Sequence, residues 1–395
     1  MSSYISRMSI DLDSSIQNRE ARSTIICGSA SVDEGVDFGN HNAMDRRDFL
    51  LRFGARAAGL GAFVSAVTGC NSNHEALLRN RVGVSIPYEA EILNELYQNM
   101  EREADRCTPK LDLVLVDAEG DPLKQILQIE AFVAQGYGGI VLFVLPEGMD
   151  TIVARATAKG ISVFNHSATP ITGCTQNIIL HQYHAGFQVG QAAAQWVNQK
   201  HHGRAQIGFL INLTDPQLIV RSNGLKDGVR KHCSVAKFMA EAEADTIDKG
   251  WSAASNMLEA HPEMNAILAF SDDPGLGAHR AATESGRTNP DNFFIGSADG
   301  IQLALDKIAE GGIYHCTASF FFPLDGVQTI RDMTKSMRGG KVPPTRIMGS
   351  RLVTKENVGL FQRMGEDPLA AAFRSYYTQP SVMSYSNKPL TTPLS

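Results

Sequence analysis

Polar and aromatic residues stand directly behind apolar runs along this sequence. Tyr88 follows RVGVSI and a proline, Asn165 and His166 follow ISVF, and Ser271 and Asp272 follow AILAF. Asp299 follows FFIGSA, Phe320 and Phe321 follow YHCTAS, and Arg221 lies early in a run with helical spacing. An ionised aspartate accepts hydrogen bonds, an arginine donates them as a planar fork, and an aromatic face covers the C–H side of a ring. Together they can hold a small solute that carries hydroxyl groups. The plain alternatives are a surface helix arginine at 221 and a helix cap at Asp299.

Other chemistries find less support. The sequence has no Gly-x-Ser-x-Gly elbow, no phosphate loop ending Gly-Lys-Ser/Thr and no His-Glu-x-x-His helix. Gly275 and Gly277 lack the third glycine of a dinucleotide fingerprint. Neither an enzyme nor a cofactor is expected. His181 with His184, and His201 with His202, invite a metal reading, but no carboxylate-rich motif joins them, so packing at a helix edge is expected and no metal. Cys107, Cys174, Cys233 and Cys316 lack the spacing of a zinc knuckle. They can pair as disulfides in three ways or stay free, and spacing does not choose.

The chain that must position these residues has 395 residues, 43% hydrophobic and 20% charged. That composition excludes a disordered chain, a collagen-like fibre and a disulfide-stapled miniprotein. A net charge of −6 argues against a general nucleic-acid binder. No run reaches the ~18 apolar residues of a membrane span. From Arg81 onward, short apolar runs such as Arg81–Ile86, Leu111–Val116, Gly138–Phe143 and Gln206–Ile211 predict strands. Runs at helical spacing between them, such as Glu89–Asp105, His184–Lys200 and Gln217–Lys231, predict helices. The alternation implies an α/β fold of parallel sheets with helices on both faces, its roughly eleven strands divided between two lobes. In such sheets ligands bind beyond the carboxyl ends of the strands, where the residues named above stand.

Between Arg81 and Val358 the chain resembles the periplasmic sugar-binding proteins of the ribose type, the type I solute-binding proteins of ABC importers. Its most specific pieces are ILAFSDDPGLGA from Ile267 to Ala278 and FFIGSADG from Phe293 to Gly300. RSNG from Arg221 to Gly224, Gly311-Gly312 with the strand ending Phe320-Phe321-Phe322-Pro323, and RLVTKENV from Arg351 to Val358 also match. The resemblance implies two doubly wound parallel-sheet lobes joined by a three-crossing hinge. Lobe 1 would be 80–181 plus 320–350, lobe 2 182–319 plus 351–358, with a C-terminal tail at 359–395. Arg221, Asp299, Ser271 and Asp272 would contact a sugar or polyol-like solute in the cleft, with Tyr88 stacking on it. Three departures matter. Ser271 stands where the family often has Asn, Asn165 and His166 replace its acidic-basic pair, and Phe320 and Phe321 occupy a crossing where many members carry Gln. They point to a less hydroxylated, more apolar solute than ribose.

The front of the chain reads as an address. Residues 1–43 are polar and aperiodic, expected as a disordered extension. In 44–70, Arg46-Arg47 followed by Phe49-Leu50 resembles a twin-arginine signal, and the weakly apolar stretch from Ala57 to Val67 suits a signal-peptide core. Val67-Thr68-Gly69-Cys70 resembles a lipobox, which would place a lipid on Cys70 and anchor the mature protein to a membrane. The expectation is an exported, monomeric lipoprotein of the periplasm or cell envelope, passing its solute to an ABC permease. A ligand-sensing subunit for a membrane signalling receptor is the alternative.

Overall fold

A computed structural model of the chain describes residues 79–143, 148–166 and 169–388. The expected extension 1–43, the expected export signal at 44–70 with Cys70, and Ser167 and Ala168 beside the expected site lie outside them.

The first lobe opens with β1 (Arg81–Ile86), α1 (Glu91–Ala104), β2 (Asp112–Asp117) and α2 (Pro122–Gln135). It continues with β3 (Gly139–Leu142), α3 (Met149–Ala158), β4 (Ser162–Asn165) and β5 (Gln176–Leu180). Asp121 accepts from the backbone N–H groups of Leu123 and Lys124, Pro122 takes the first turn, and left-handed Gly136 ends α2. All four residues of β3 are buried, as a strand covered by helices on both faces must be. Ile129, Phe132, Ile140, Leu142, Val153 and Val163 form the core between that sheet and its helices.

The second lobe carries α4 (Gln182–His201), β6 (Gln206–Ile211), α5 (Pro216–His232), β7 (Lys237–Glu243), α6 (Ile247–Ala260) and β8 (Ala266–Ala269). It goes on through α7 (Asp272–Glu284), β9 (Phe294–Asp299), α8 (Gln302–Glu310) and β10 (Tyr314–Ser319). The chain then returns to the first lobe with α9 (Phe322–Met337), which packs on α1, and β11 (Thr345–Met348). It ends with β12 (Arg351–Thr354), α10 (Val358–Glu366) and β13 (Met383–Ser386). The seven-stranded sheet has the order β13-β11-β5-β4-β3-β1-β2, and the six-stranded one β12-β10-β9-β8-β6-β7. Among the described residues only β12 and β13, each on an edge, run antiparallel to their neighbours.

The three expected crossings lie at His181, at Phe320 and Phe321, and at Gly349 and Ser350. A fourth passage was not expected: α10 packs on α8 of the second lobe, and the chain then returns to pair β13 with β11 of the first. On the way, Phe361 and Tyr376 pack against the ring of Phe321, and Val382 accepts a hydrogen bond from the N–H of Gly349 at 2.9 Å. The 359–395 segment thus touches two of the other crossings. Cys107, Cys174, Cys233 and Cys316 are free thiols, and burial pushes the Cys174 thiol up to about 12 and Cys316 higher still, which keeps both protonated.

Candidate functional site

Three strand ends and one helix build the second lobe's half of the site. Arg221, on α5 and 2% exposed, donates from Nε to Gln182 Oε1 at 2.7 Å. Its Nη1 donates to the carbonyl of Phe270 at 2.9 Å and to Asp299 Oδ1 at 2.8 Å. Nη2 makes no hydrogen bond among the described residues, so its two N–H donors remain open. Asp299 ends β9 at φ 136°, a conformation that costs a non-glycine residue on the order of 1–3 kcal/mol. Gly300 follows at φ 84°, and a Cβ there would meet the Ser319 side chain at 2.4 Å. The turn aims the Asp299 carboxylate back at Arg221. Ser271 is the N-cap residue of α7, yet its hydroxyl does not cap the helix. It donates to Asp299 Oδ2 at 2.7 Å instead.

Asp272, expected beside the solute, has a different task. It is fully buried, and Oδ1 accepts from Ser297 and from Thr317 at 2.7 Å, while Oδ2 accepts the N–H groups of Gly300 at 2.7 Å and Ile301 at 2.9 Å. Those bonds leave it nothing to offer a ligand and fix the turn that carries Asp299. Burial first, and Asp299 second, push its pKa up to about 6. Phe320 and Phe321 also differ from expectation. Phe320 is fully buried with its ring 5.0 Å from the Arg221 guanidinium carbon, backing the arginine by a cation–π contact. Phe321, at φ 58°, turns into the contact with Phe361 and Tyr376 and is itself buried.

Tyr88, Asn165 and His166 come from the first lobe. Tyr88 is half-exposed between β1 and α1. Its pKa is raised, first by displaced water and then by Asp215, Asp245 and Asp299, against the pull of Arg221. All four charges belong to the second lobe, so the phenol faces across the cleft. Asn165 is buried, and its Nδ2 donates to Thr169 O and Asn177 Oδ1; it braces the loop after β4 in place of the expected solute contact. His166 stacks on Phe143 at 4.7 Å and shares a 2.5 Å hydrogen bond between Nε2 and Asp325 Oδ2. Asp325 in turn holds Arg346, a fully buried cation that also reaches Thr329 at 2.5 Å and Asp332 at 3.1 Å. Burial opposes ionisation of Asp325, but His166 and Arg346 hold it below the ordinary carboxylate range.

One hydrogen bond joins the lobes directly at the mouth. Glu95 on α1 accepts the N–H of Gln302 at 2.7 Å, capping α8, whose own N-cap residue Ile301 has no side chain to do so. Further along α1, Arg102 donates to the carbonyls of Gly365 at 3.3 Å and Glu366 at 3.4 Å, the C-terminal end of α10. Burial, with Glu91, Asp272 and Asp273 nearby, pushes Glu95 up to about 8, and burial plus Asp299 pushes Asp273 up to about 7.

Gln182, Asp215, Asp325 and Arg346 escaped the sequence reading. Arg346 carried a signal: a lone cation within a short strand, TRIM, has to be buried and paired. His181 and His184 sit at the first crossing, with ring centres 5.6 Å apart and His184 Nδ1 3.2 Å from Ser350 Oγ.

Residues 82–341 match the model of the periplasmic binding protein domain. The ribose import binding protein of Escherichia coli (strain K12) is 23% identical over 266 residues, covering 66% of this chain and 86% of that protein. A xylitol-binding protein of Mycolicibacterium smegmatis is 24% identical over 315 residues, 77% of this chain and 84% of that one. Among solved structures, an ABC transporter solute-binding protein of Bacillus halodurans with bound myo-inositol superposes with a TM-score of 0.63 at 21% identity, covering 72% of this chain and 97% of its own.

Proposed function

Because this chain belongs to the periplasmic binding protein domain family, we propose that it captures a small polar, sugar- or polyol-like solute between its lobes and delivers it to an ABC importer. The observation that carries this reading is Arg221 on α5 gathered with Asp299 and Ser271 at the strand ends of one lobe, across from Tyr88 of the other. A solute touching both halves favours the closed arrangement, since only that arrangement contacts it from two sides. Arg221, Asp299, Ser271, Tyr88 and His166 are the proposed contacts; Asn165, Asp272, Phe320 and Phe321 support them. The missing acidic-basic pair favours a solute with fewer hydroxyls than ribose. Binding without turnover is the whole activity. The lobes divide as 80–181 with 320–350, and 182–319 with 351–358. Export by the twin-arginine route, a lipid on Cys70, a monomeric state and a periplasmic or envelope location complete the reading.

Mass spectrometry of small molecules retained by the purified protein identifies the solute, followed by calorimetry with D-ribose, xylitol, myo-inositol and aromatic solutes. One polar solute bound tightly and released unchanged is the expected result. Clear preference for an unmodified pentose removes the apolar refinement, and conversion of the solute into a product overturns the reading itself.

A further inference from the structure

Buried behind the first lobe's face is a chain of charges that solute capture as described leaves unexplained. Arg346 is fully buried and bound to Asp325, Asp332 and Thr329; Asp332 also accepts from Tyr385 of β13 at 3.0 Å. Replacing such a network by apolar residues of similar volume is often neutral or stabilising, so stability alone is a weak reason for it. Its one outlet toward the cleft is His166, which follows the carboxyl end of β4.

Arg346 lies against Asp325 and keeps its carboxyl ionised. An ionised carboxylate only accepts, so Nε2 of His166 must donate to it. The ring is held in place: it stacks on Phe143 and binds Asp325, while the backbone N–H of His166 fixes the main chain to the carbonyl of Leu142 at 2.7 Å. Nδ1 makes no hydrogen bond among the described residues. We propose that Asp325, backed by Arg346, is a positioning residue that holds a ring proton of His166 on Nε2, so that Nδ1 is the ring nitrogen left to meet a hydroxyl of the solute. This rests on the solute-capture reading and refines it: the first lobe offers one oriented ring nitrogen, and a solute lacking a hydroxyl at that point is discriminated against. The second crossing couples the two halves, because Phe320 backs Arg221 and Asp325 holds His166 five residues later.

Nitrogen-15 NMR of the histidine rings in the full chain reads the proton directly, without ligand, in wild type, Asp325→Asn and Asp325→Glu. Calorimetry on the same samples uses D-ribose, xylitol and myo-inositol. The expected result is His166 protonated on Nε2 in wild type, loss of that fixed proton position in Asp325→Asn, and recovery in Asp325→Glu. Affinity for whichever polyol binds falls about tenfold in Asp325→Asn, the scale of one hydrogen bond, and returns with the glutamate. A wild-type ring with no proton on Nε2 overturns the inference even if every variant folds. So does a moved proton with unchanged affinity, a result that leaves solute capture standing. If no polyol binds wild type, the capture reading is what fails, and the inference, which refines it, falls with it whatever the ring resonance shows.

Discussion

Arg221 ties three segments together through one guanidinium, and its removal leaves Asp299 buried without a counter-charge. Arg221→Ala is expected to abolish solute binding in calorimetry and to lower stability by about 3–5 kcal/mol, the usual result of breaking a buried pair from one side. Arg221→Lys keeps the charge but cannot span Gln182, Phe270 and Asp299 at once, so weakened binding with a milder stability loss is expected. Glu95 and Asp273 give a pH signature. Their pKa values, about 8 and about 7, lie above the ordinary 4.5 and 3.8, so the folded chain holds protons that the unfolded chain releases. Stability from these groups is therefore present at low pH and lost as pH rises toward 8. Thermal melts at pH 5 and pH 8 should show Glu95→Gln losing part of that decline; an unaltered pH slope in the variant contradicts it. Asp325, shifted the other way, loses its contribution only as the medium turns acidic.

The helix pair α4 and α5 sets where Arg221 stands. Gly186 and Gly190 on α4 face Gly224 and Gly228 on α5, and a Cβ at 186 would lie 2.0 Å from the carbonyl oxygen of Arg221. Gly186→Ala must push α5 outward at the residue that matters most. The expected outcome is a stability loss of about 1–3 kcal/mol from overpacking, with solute affinity reduced in the same variant. Gly312→Ala, with open space around it, serves as the neutral control. At this scale the sequence was readable where apolar runs are long and alternate: β1, β6 and β10 begin and end where the pattern puts them. β11 and β13 were not, because TRIM hides a cation in a four-residue strand and MSYS has almost no apolar content. The site was readable in the same partial way. Strand ends point to the cleft, which places Asp299, Ser271 and His166 near it, and Arg221 lies early in the helix after β6, but chain position cannot say which side chains turn inward. Asp272 and Ser271 are neighbours, and one became scaffold while the other reached the charged pair.

Hinged capture requires the lobes to separate, and the fourth passage of the chain bears on how freely they can. Phe361 holds that passage against Phe321, so Phe361→Ala should cost about 3–5 kcal/mol and give a wider solute-free particle in small-angle scattering. An unchanged scattering profile beside the lower melting temperature would show that the segment stabilises without restraining.

The same topology has a consequence for how the protein is made. On the ribosome, β5 emerges early, but its outer neighbour β11 and the edge strand β13 emerge only after the whole second lobe. At about 5–20 residues per second, the edge of the first sheet waits on the order of ten seconds with its backbone unpaired. An open strand edge is a template for other chains. The interval between synthesis of β5 and arrival of β11 is the moment at which a nascent copy most needs a chaperone beside it.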